Sequence, residues 1–404
     1  MLRNPVALLL PCLCLLLTPS ARADIVTDWN VRAGDIVAAA KLPAPPSVRI
    51  LAIVQASVYE AVNAATGRYR TTRVQLDAIP GASVDAAVTA ANHAALMALL
   101  PDQKAAIEEA YRAALAEIPD GPAASKGLAL GEKAAAAILA LRSDDGAAAP
   151  ESYRPATTPG VYVPTVIPAV PQWPQRKPWN MSAPDQFRPG PPPALDSEVW
   201  VRDYNEIKLM GARNGSRRTP GQTEMAKFWE TTSPTVYAPF ARTVASMPGR
   251  EITRNARLLA AAFEAMDDAV IAVFDAKYRY GFWRPVTAIR NGDRDGSDAT
   301  ERDPSWTPFI ETPMHPEYPC AHCIVASALG AVLQAELGGE PAPKLSTTSP
   351  TAPGVTRSWD SIGDLVQEVG EARICDGVHY RNSTEVGAAM GAKIGALTAE
   401  KVLR

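Results

Sequence analysis

The sequence predicts an all-α protein: two packed helical bundles connected by a long, irregular, proline-rich strap. Three observations carry this. Apolar residues recur at helical spacing through most of the chain, several of these runs are rich in alanine, and no convincing series of strands interrupts them. One tract, 143–195, breaks all periodicity and holds much of the chain's complement of 37 prolines. At 404 residues, with 47% hydrophobic and 21% charged, the chain has material for an ample core. Its formal net charge of −3 gives no reason to expect a nucleic-acid partner.

Residues 1–23 read as a cleaved export signal. Arg3 supplies a positive start, 6–17 is an apolar run too short to span a bilayer, and Ala21-Arg22-Ala23 is a cleavage pattern before Asp24. Cys12 and Cys14 lie inside that run, and Pro11 rather than a small residue precedes Cys12, which argues against lipid attachment. The expected mature protein is periplasmic or secreted, with a net charge of −5 once Arg3 and Arg22 are lost. No later stretch is apolar enough, for long enough, to insert stably in a membrane.

An N-terminal helical bundle is expected over 24–142. In 47–65, Ile50, Ile53, Val54, Val58 and Val62 share one side of a helix. Alanine-rich helices follow at 84–100 and 103–118, with Pro101-Asp102 as stop and restart, and another at 122–141 after Asp120-Gly121. The segment 143–195 carries Trp173 and Trp179 among its prolines. Tryptophan is uncommon in disordered linkers, so an ordered strap over the bundles is expected. A C-terminal helical bundle, expected to be the catalytic one, spans 196–404. Its helices are placed at 196–211, 220–231, 252–276, 320–337, 358–372 and 384–403, with a loop rich in Asp and Gly at 294–308.

Chemistry concentrates between residues 277 and 379. The segments KYRYGFWRP, HPEYPCAH and ARICDGVHYRNS hold three of the four histidines, with Lys277, Arg284 and Arg373 at regular-looking offsets among them. Lys277 and Arg284 are seven apart, two turns of a helix that Pro285 would end or kink, and their aromatic neighbours imply burial. Buried cations need an anion. Cys320, Ala321 and His322 follow Pro319 at the start of an apolar helix, where free amides and the macrodipole favour an oxyanion. His322 is a candidate proton donor, and His315, seven residues earlier, can reach the same pocket. Arg373 can fork two hydrogen bonds onto an oxyanion, and His379, six residues on, is a candidate nucleophile or metal ligand.

In order and spacing, these residues resemble the signature of the vanadium-dependent haloperoxidases and type 2 phosphatidic acid phosphatases: K-x6-RP, then P-S-G-H, then S-R-x5-H-x3-D. Lys277 and Arg284-Pro285 match the first part, Pro319 and His322 the second, and Arg373 and His379 the third. The pair His315 and His322 resembles the haloperoxidase branch. The resemblance implies that Lys277, Arg284 and Arg373 neutralise the equatorial oxygens of vanadate or phosphate. It makes His379 the axial vanadium ligand or the phosphorylated nucleophile, His322 the acid–base group, and His315 an aid in handling peroxide or halide. Five-coordinate vanadate has the shape and charge of a phosphoryl-transfer transition state, so one cage suits both.

Three positions depart from that signature. Cys320 replaces a serine donor, Ala321 replaces glycine but keeps its amide, and Ser383 replaces the aspartate that would orient His379, with Glu385 as a substitute. Cys320, Cys323 and Cys375 are the disulfide candidates, an odd number that leaves one free thiol. Cys323–Cys375 and Cys320–Cys375 are weighted equally, ahead of Cys320–Cys323. The activity implied is a vanadate-dependent oxidation of bromide or iodide by hydrogen peroxide, delivered to an organic acceptor. The alternative is a soluble acid phosphatase acting on phosphate esters through a phosphohistidine, without a cofactor, and the third reading is a non-catalytic oxyanion-binding relative. Relatives with such bundles often form homodimers.

Overall fold

A computed structural model describes residues 24–71 and 73–404; the expected export signal, 1–23, lies outside them. Asp24 caps the first helix by accepting a hydrogen bond from the amide of Thr27, and α1 runs Ile25–Ala39. The N-terminal part continues with α2 (Ala44–Thr66), α3 (Val84–Leu99), α4 (Lys104–Leu115) and α5 (Pro122–Arg142). After the strap come α6 (Glu198–Met210), α7 (Pro220–Phe228), α8 (Pro234–Ala245), α9 (Ile252–Tyr280) and α10 (Pro285–Arg290). The chain ends with α11 (Ala321–Leu337), α12 (Ile362–Cys375) and α13 (Arg381–Thr398). The described residues are 58% helix and 4% strand, an all-α architecture.

Three helices went unread in the sequence: α1, α8 and α10. Helix α8 carries Pro239 in its interior, and α10 has only six residues, too few for a period to show. The expectation of no strands also needs correction. Strands β1 (Leu345–Ser349) and β2 (Ala352–Trp359) form an antiparallel hairpin that pairs Leu345 with Trp359. Only its inward ends, Leu345, Ala352 and Trp359, bury apolar groups, so alternation along the strands is faint.

Helix α9 is the axis of the molecule. Every residue from Leu258 to Lys277 is buried, as a helix surrounded by others must be. One contiguous hydrophobic core, from Val26 in α1 to Val402 near the C-terminus, is built around it, so both parts of the chain share a core. Helix α11 packs on α9, and α13 packs on α11 at close range. A Cβ at Gly391 would stand 2.2 Å from the carbonyl oxygen of Ile324, so only glycine admits this approach. The strap is ordered, held by acids of α9. Asp267 accepts from Arg176 at 2.6 and 3.0 Å and from the Trp179 indole at 2.8 Å; Asp268 accepts the amides of Trp179, Asn180 and Met181. Among the described residues, no single helix is long and apolar enough to cross a membrane.

Candidate active site

The C-terminal end of α9 starts the site. Lys277 lies in its last turn, and Gly281, with φ +58°, closes the helix in the left-handed conformation that glycine adopts without strain. Lys277 and Arg284 are therefore not two turns apart on one helix, as their spacing suggested. The chain leaves the helix at Gly281, Phe282 and Trp283 turn into an aromatic cluster, and Arg284 sits in extended backbone as the cap of α10. Trp200, Tyr204, Tyr318 and Tyr380 complete that cluster, with Trp200 stacked on Trp283 at 5.7 Å. This apolar floor explains how three cations come to be wholly buried: Lys277, Arg284 and Arg373 all have 0% exposure.

Carbonyl oxygens, one imidazole nitrogen and one acid hold these cations. The Lys277 ammonium donates to the carbonyls of Pro316 and Glu317 at 2.9 and 2.7 Å. Arg284 donates to the carbonyls of His315 and Val378 and to Nδ1 of His315, at 2.8 to 2.9 Å. Arg373 donates to the carbonyl of Trp229 and to Asp376, at 2.7 and 2.6 Å. Burial, then the Arg284 charge, pushes the Lys277 pKa well below its ordinary value. Burial lowers Arg284 to about 10 and raises Asp376 to about 7.

A cavity of about 330 Å³ opens onto this arrangement, lined by His315, Ala321, His322, Arg373 and His379, with Phe274 and Val325 among its apolar walls. Lys277 and Arg284 do not line it; they lie behind His315 and Glu317. His322 stands in the first turn of α11, beside the unpaired amides of a helix start, with the backbone of Glu230 hydrogen-bonded to its ring. Three buried nitrogens have no protein partner: the donors Nε and Nη2 of Arg373, and Nε2 of His322, which carries the lone pair while the ring is neutral. Burial first, and the surrounding cations second, depress the pKa values of His315, His322 and His379, so all three rings are held neutral.

His379 is oriented by a residue the sequence reading missed. Its Nδ1 lies 2.7 Å from Oε1 of Glu317, which also accepts the amide of Tyr380 at 3.1 Å. With Nδ1 donating to the carboxylate, Nε2 carries the lone pair. Burial raises Glu317 to about 7, against the lowering pull of Lys277 and Arg284. Ser383 contributes only a marginal contact to His379 Nδ1, at 3.5 Å. Glu385 is exposed on the far face of α13 and takes no part, because the helix turn that buries Ser383 points it outward.

The cysteines also need correcting. The disulfide is Cys320–Cys323, with Cα atoms 5.4 Å apart across the start of α11. Cys375 is free and buried at the end of α12, where burial pushes its thiol up to about 12. Cys320 therefore gives no thiol donor to the cavity: its sulfur caps α11 by accepting the amide of Cys323, and its own amide donates to Ser383.

Fold and site together describe an α-helical bundle around a cation-backed cavity, and the comparisons find the same fold in vanadium haloperoxidases. Residues 257–404 match the family model described as the VCPO second helical-bundle domain. Vanadium chloroperoxidase of Curvularia inaequalis is 24% identical over 265 residues, a match spanning 49% of this chain and 43% of that protein. A bacterial vanadium-dependent iodoperoxidase superposes with a TM-score of 0.78 at 23% identity, covering 94% of this chain and 96% of that one. The holo-type bacterial vanadium-dependent chloroperoxidase gives 0.75 at 18% identity, covering 90% and 93%.

Proposed function

We propose that the chain is a vanadate-dependent haloperoxidase that oxidises bromide or iodide with hydrogen peroxide. The observation that carries this reading is the pair of buried donors without partners, Arg373 Nε and Nη2, with the unpartnered His322 Nε2 close by and His379 with its Nδ1 already engaged. Orphaned guanidinium donors lining a cavity, with two further buried cations behind it, fit an oxyanion. Arg373, with the charges of Lys277 and Arg284 behind it, would hold the oxygens of vanadate, and His379 would be its protein ligand through Nε2. Bound vanadate supplies Lewis acidity that activates peroxide. The chain's part is to exclude water, fix the His379 tautomer through Glu317, and move a proton at His322 Nε2. Overall, peroxide, halide and one proton give hypohalous acid and water: the peroxide O–O bond breaks and a halogen–oxygen bond forms.

Purified protein loaded with vanadate should brominate or iodinate a phenol dye only when peroxide is present, and His379→Ala should abolish this. The absence of a peroxide-dependent signal with any halide would sink the reading. One observation also favours a phosphatase: a neutral, carboxylate-held His379 is equally set to attack phosphorus. That reading predicts hydrolysis of a chromogenic phosphate ester, inhibited by vanadate.

A further inference from the structure

A second basic cavity, of about 600 Å³, lies far from the cage. It opens between the α2–α3 connection, the N-terminal part of α9, the strap and the C-terminal segment of the chain. Arg68, Arg70, Arg73, Arg257, Lys401 and Arg404 line it, and no acidic side chain does. Arg257 and Lys277 are twenty residues apart on α9, so this cavity and the cage stand about 30 Å apart along the helix.

Two of the six cations are already neutralised. Arg68 pairs with Glu251 at 3.3 Å, and Arg73 with Glu264, which fastens the strap. Among the described residues no carboxylate pairs with Arg70, Arg257 or Lys401. The Arg257 guanidinium lies over the Tyr69 ring at 3.8 Å, a contact that orients it without cancelling its charge, and its Nε is buried without a partner. Lys401 donates only to the carbonyl of Asn180, at 2.6 Å. The second sign of a ligand is Tyr59: 2% exposed, lining the cavity, with its hydroxyl unpartnered. A buried phenol and a buried guanidinium nitrogen lack acceptors beside cations that form no ion pair, and an oxyanion would supply what both lack. The volume falls in the roughly 300–1,000 Å³ range of small-molecule sites and exceeds what one phosphate group fills.

We infer that this cavity binds a small multivalent oxyanion of the phosphate type, carrying two or more phosphate groups, at a site separate from the catalytic cage. Arg257 and Tyr59 take the inner group, and Lys401 and Arg70 the outer one. The proposal does not depend on which reaction the cage performs.

Inorganic pyrophosphate, titrated calorimetrically into the full chain at low salt with orthophosphate as the comparison, tests it. Pyrophosphate should bind at least tenfold more tightly than orthophosphate, and more weakly as salt rises. Arg257→Gln and Lys401→Gln should each weaken the event at least tenfold, while His379→Gln, in the cage, leaves it intact. Arg70→Gln, like Lys401→Gln, alters an exposed side chain, guards against failure of the part-buried Arg257→Gln to fold, and should weaken binding severalfold. No pyrophosphate binding, equal binding of orthophosphate, or loss in His379→Gln but not in Arg257→Gln and Lys401→Gln would each overturn the proposal.

Discussion

A wholly buried carboxylate has to be held by something, and around Glu317 the holders are the candidate catalytic groups. Replacing it with glutamine keeps the shape but removes the charge that fixes the His379 Nδ1 proton. Loss of such an orienting partner typically costs about 10- to 100-fold in ligand affinity or activity. Glu317→Gln should therefore weaken vanadate binding by that order, measured by calorimetry, without unfolding the protein. The pH dependence has a definite sign. Glu317 titrates near 7 when folded, above its ordinary 4.5, so the folded state holds the extra proton and stability from this group falls as pH rises between those values. Urea denaturation at pH 5 and pH 8 should show the glutamine variant gaining on the native protein at the higher pH. His322 titrates in the opposite direction. Burial and the Arg373 charge depress it, and an anion bound beside it raises it again, so vanadate binding near pH 7 should take up protons. Calorimetry in buffers of different ionisation enthalpy would show this, and His322→Gln should abolish it. The sequence displayed Glu317 in HPEYPCAH, but the family pattern directs attention four residues beyond His379, to Ser383. The argument that buried cations need anions, applied to the whole segment, points to the only acid between His315 and His322.

At the scale of elements, the helices with strong apolar periodicity were legible, and so were the cage residues, because their spacing along the chain is their signature. What was not legible depends on how elements meet. The seven-residue interval between Lys277 and Arg284 looks like two helical turns until Gly281 ends α9, and a glycine within a helical pattern reads equally well as a helix interior. The pairing of Cys320 with Cys323 depends on where α11 starts relative to α12. The glycines at 387, 391 and 395 do mark the α13 face that meets α11, the helix presenting His322. At Gly391 an added methyl would meet the Ile324 carbonyl, backbone that cannot swing aside. Gly391→Ala should thus cost about 1–3 kcal/mol, the usual penalty for overpacking. A lowered Tm together with weakened vanadate binding would show that this packing places His322. A Tm unchanged from the native protein would refute the close approach.

For the molecule as a whole, α9 ties the cage to the strap. One end carries Lys277, its middle carries Glu264, Asp267 and Asp268, and these three acids hold a segment with almost no regular structure of its own. The tryptophans of this segment set it apart from a disordered linker in the sequence; what holds it was not legible there, and it is the buried acids of α9, each of which requires a partner. The Arg176 side chain is 0% exposed and donates two hydrogen bonds to Asp267, with Asp145 as its other anion at 2.8 Å. Asp267→Ala would leave that guanidinium half-compensated and the Trp179 indole without an acceptor. Breaking a buried pair by removing one partner costs about 3–5 kcal/mol. The loss should show in urea denaturation, and limited proteolysis should cut the variant first within 143–195. Replacing Arg176 and Asp267 together by methionine and leucine should recover part of that loss, because the cost lies in the orphaned charge rather than in the missing attraction. If the double variant is as unstable as Asp267→Ala and the strap resists protease in both, then packing of Trp173 and Trp179, not the ion pair, holds the strap to α9.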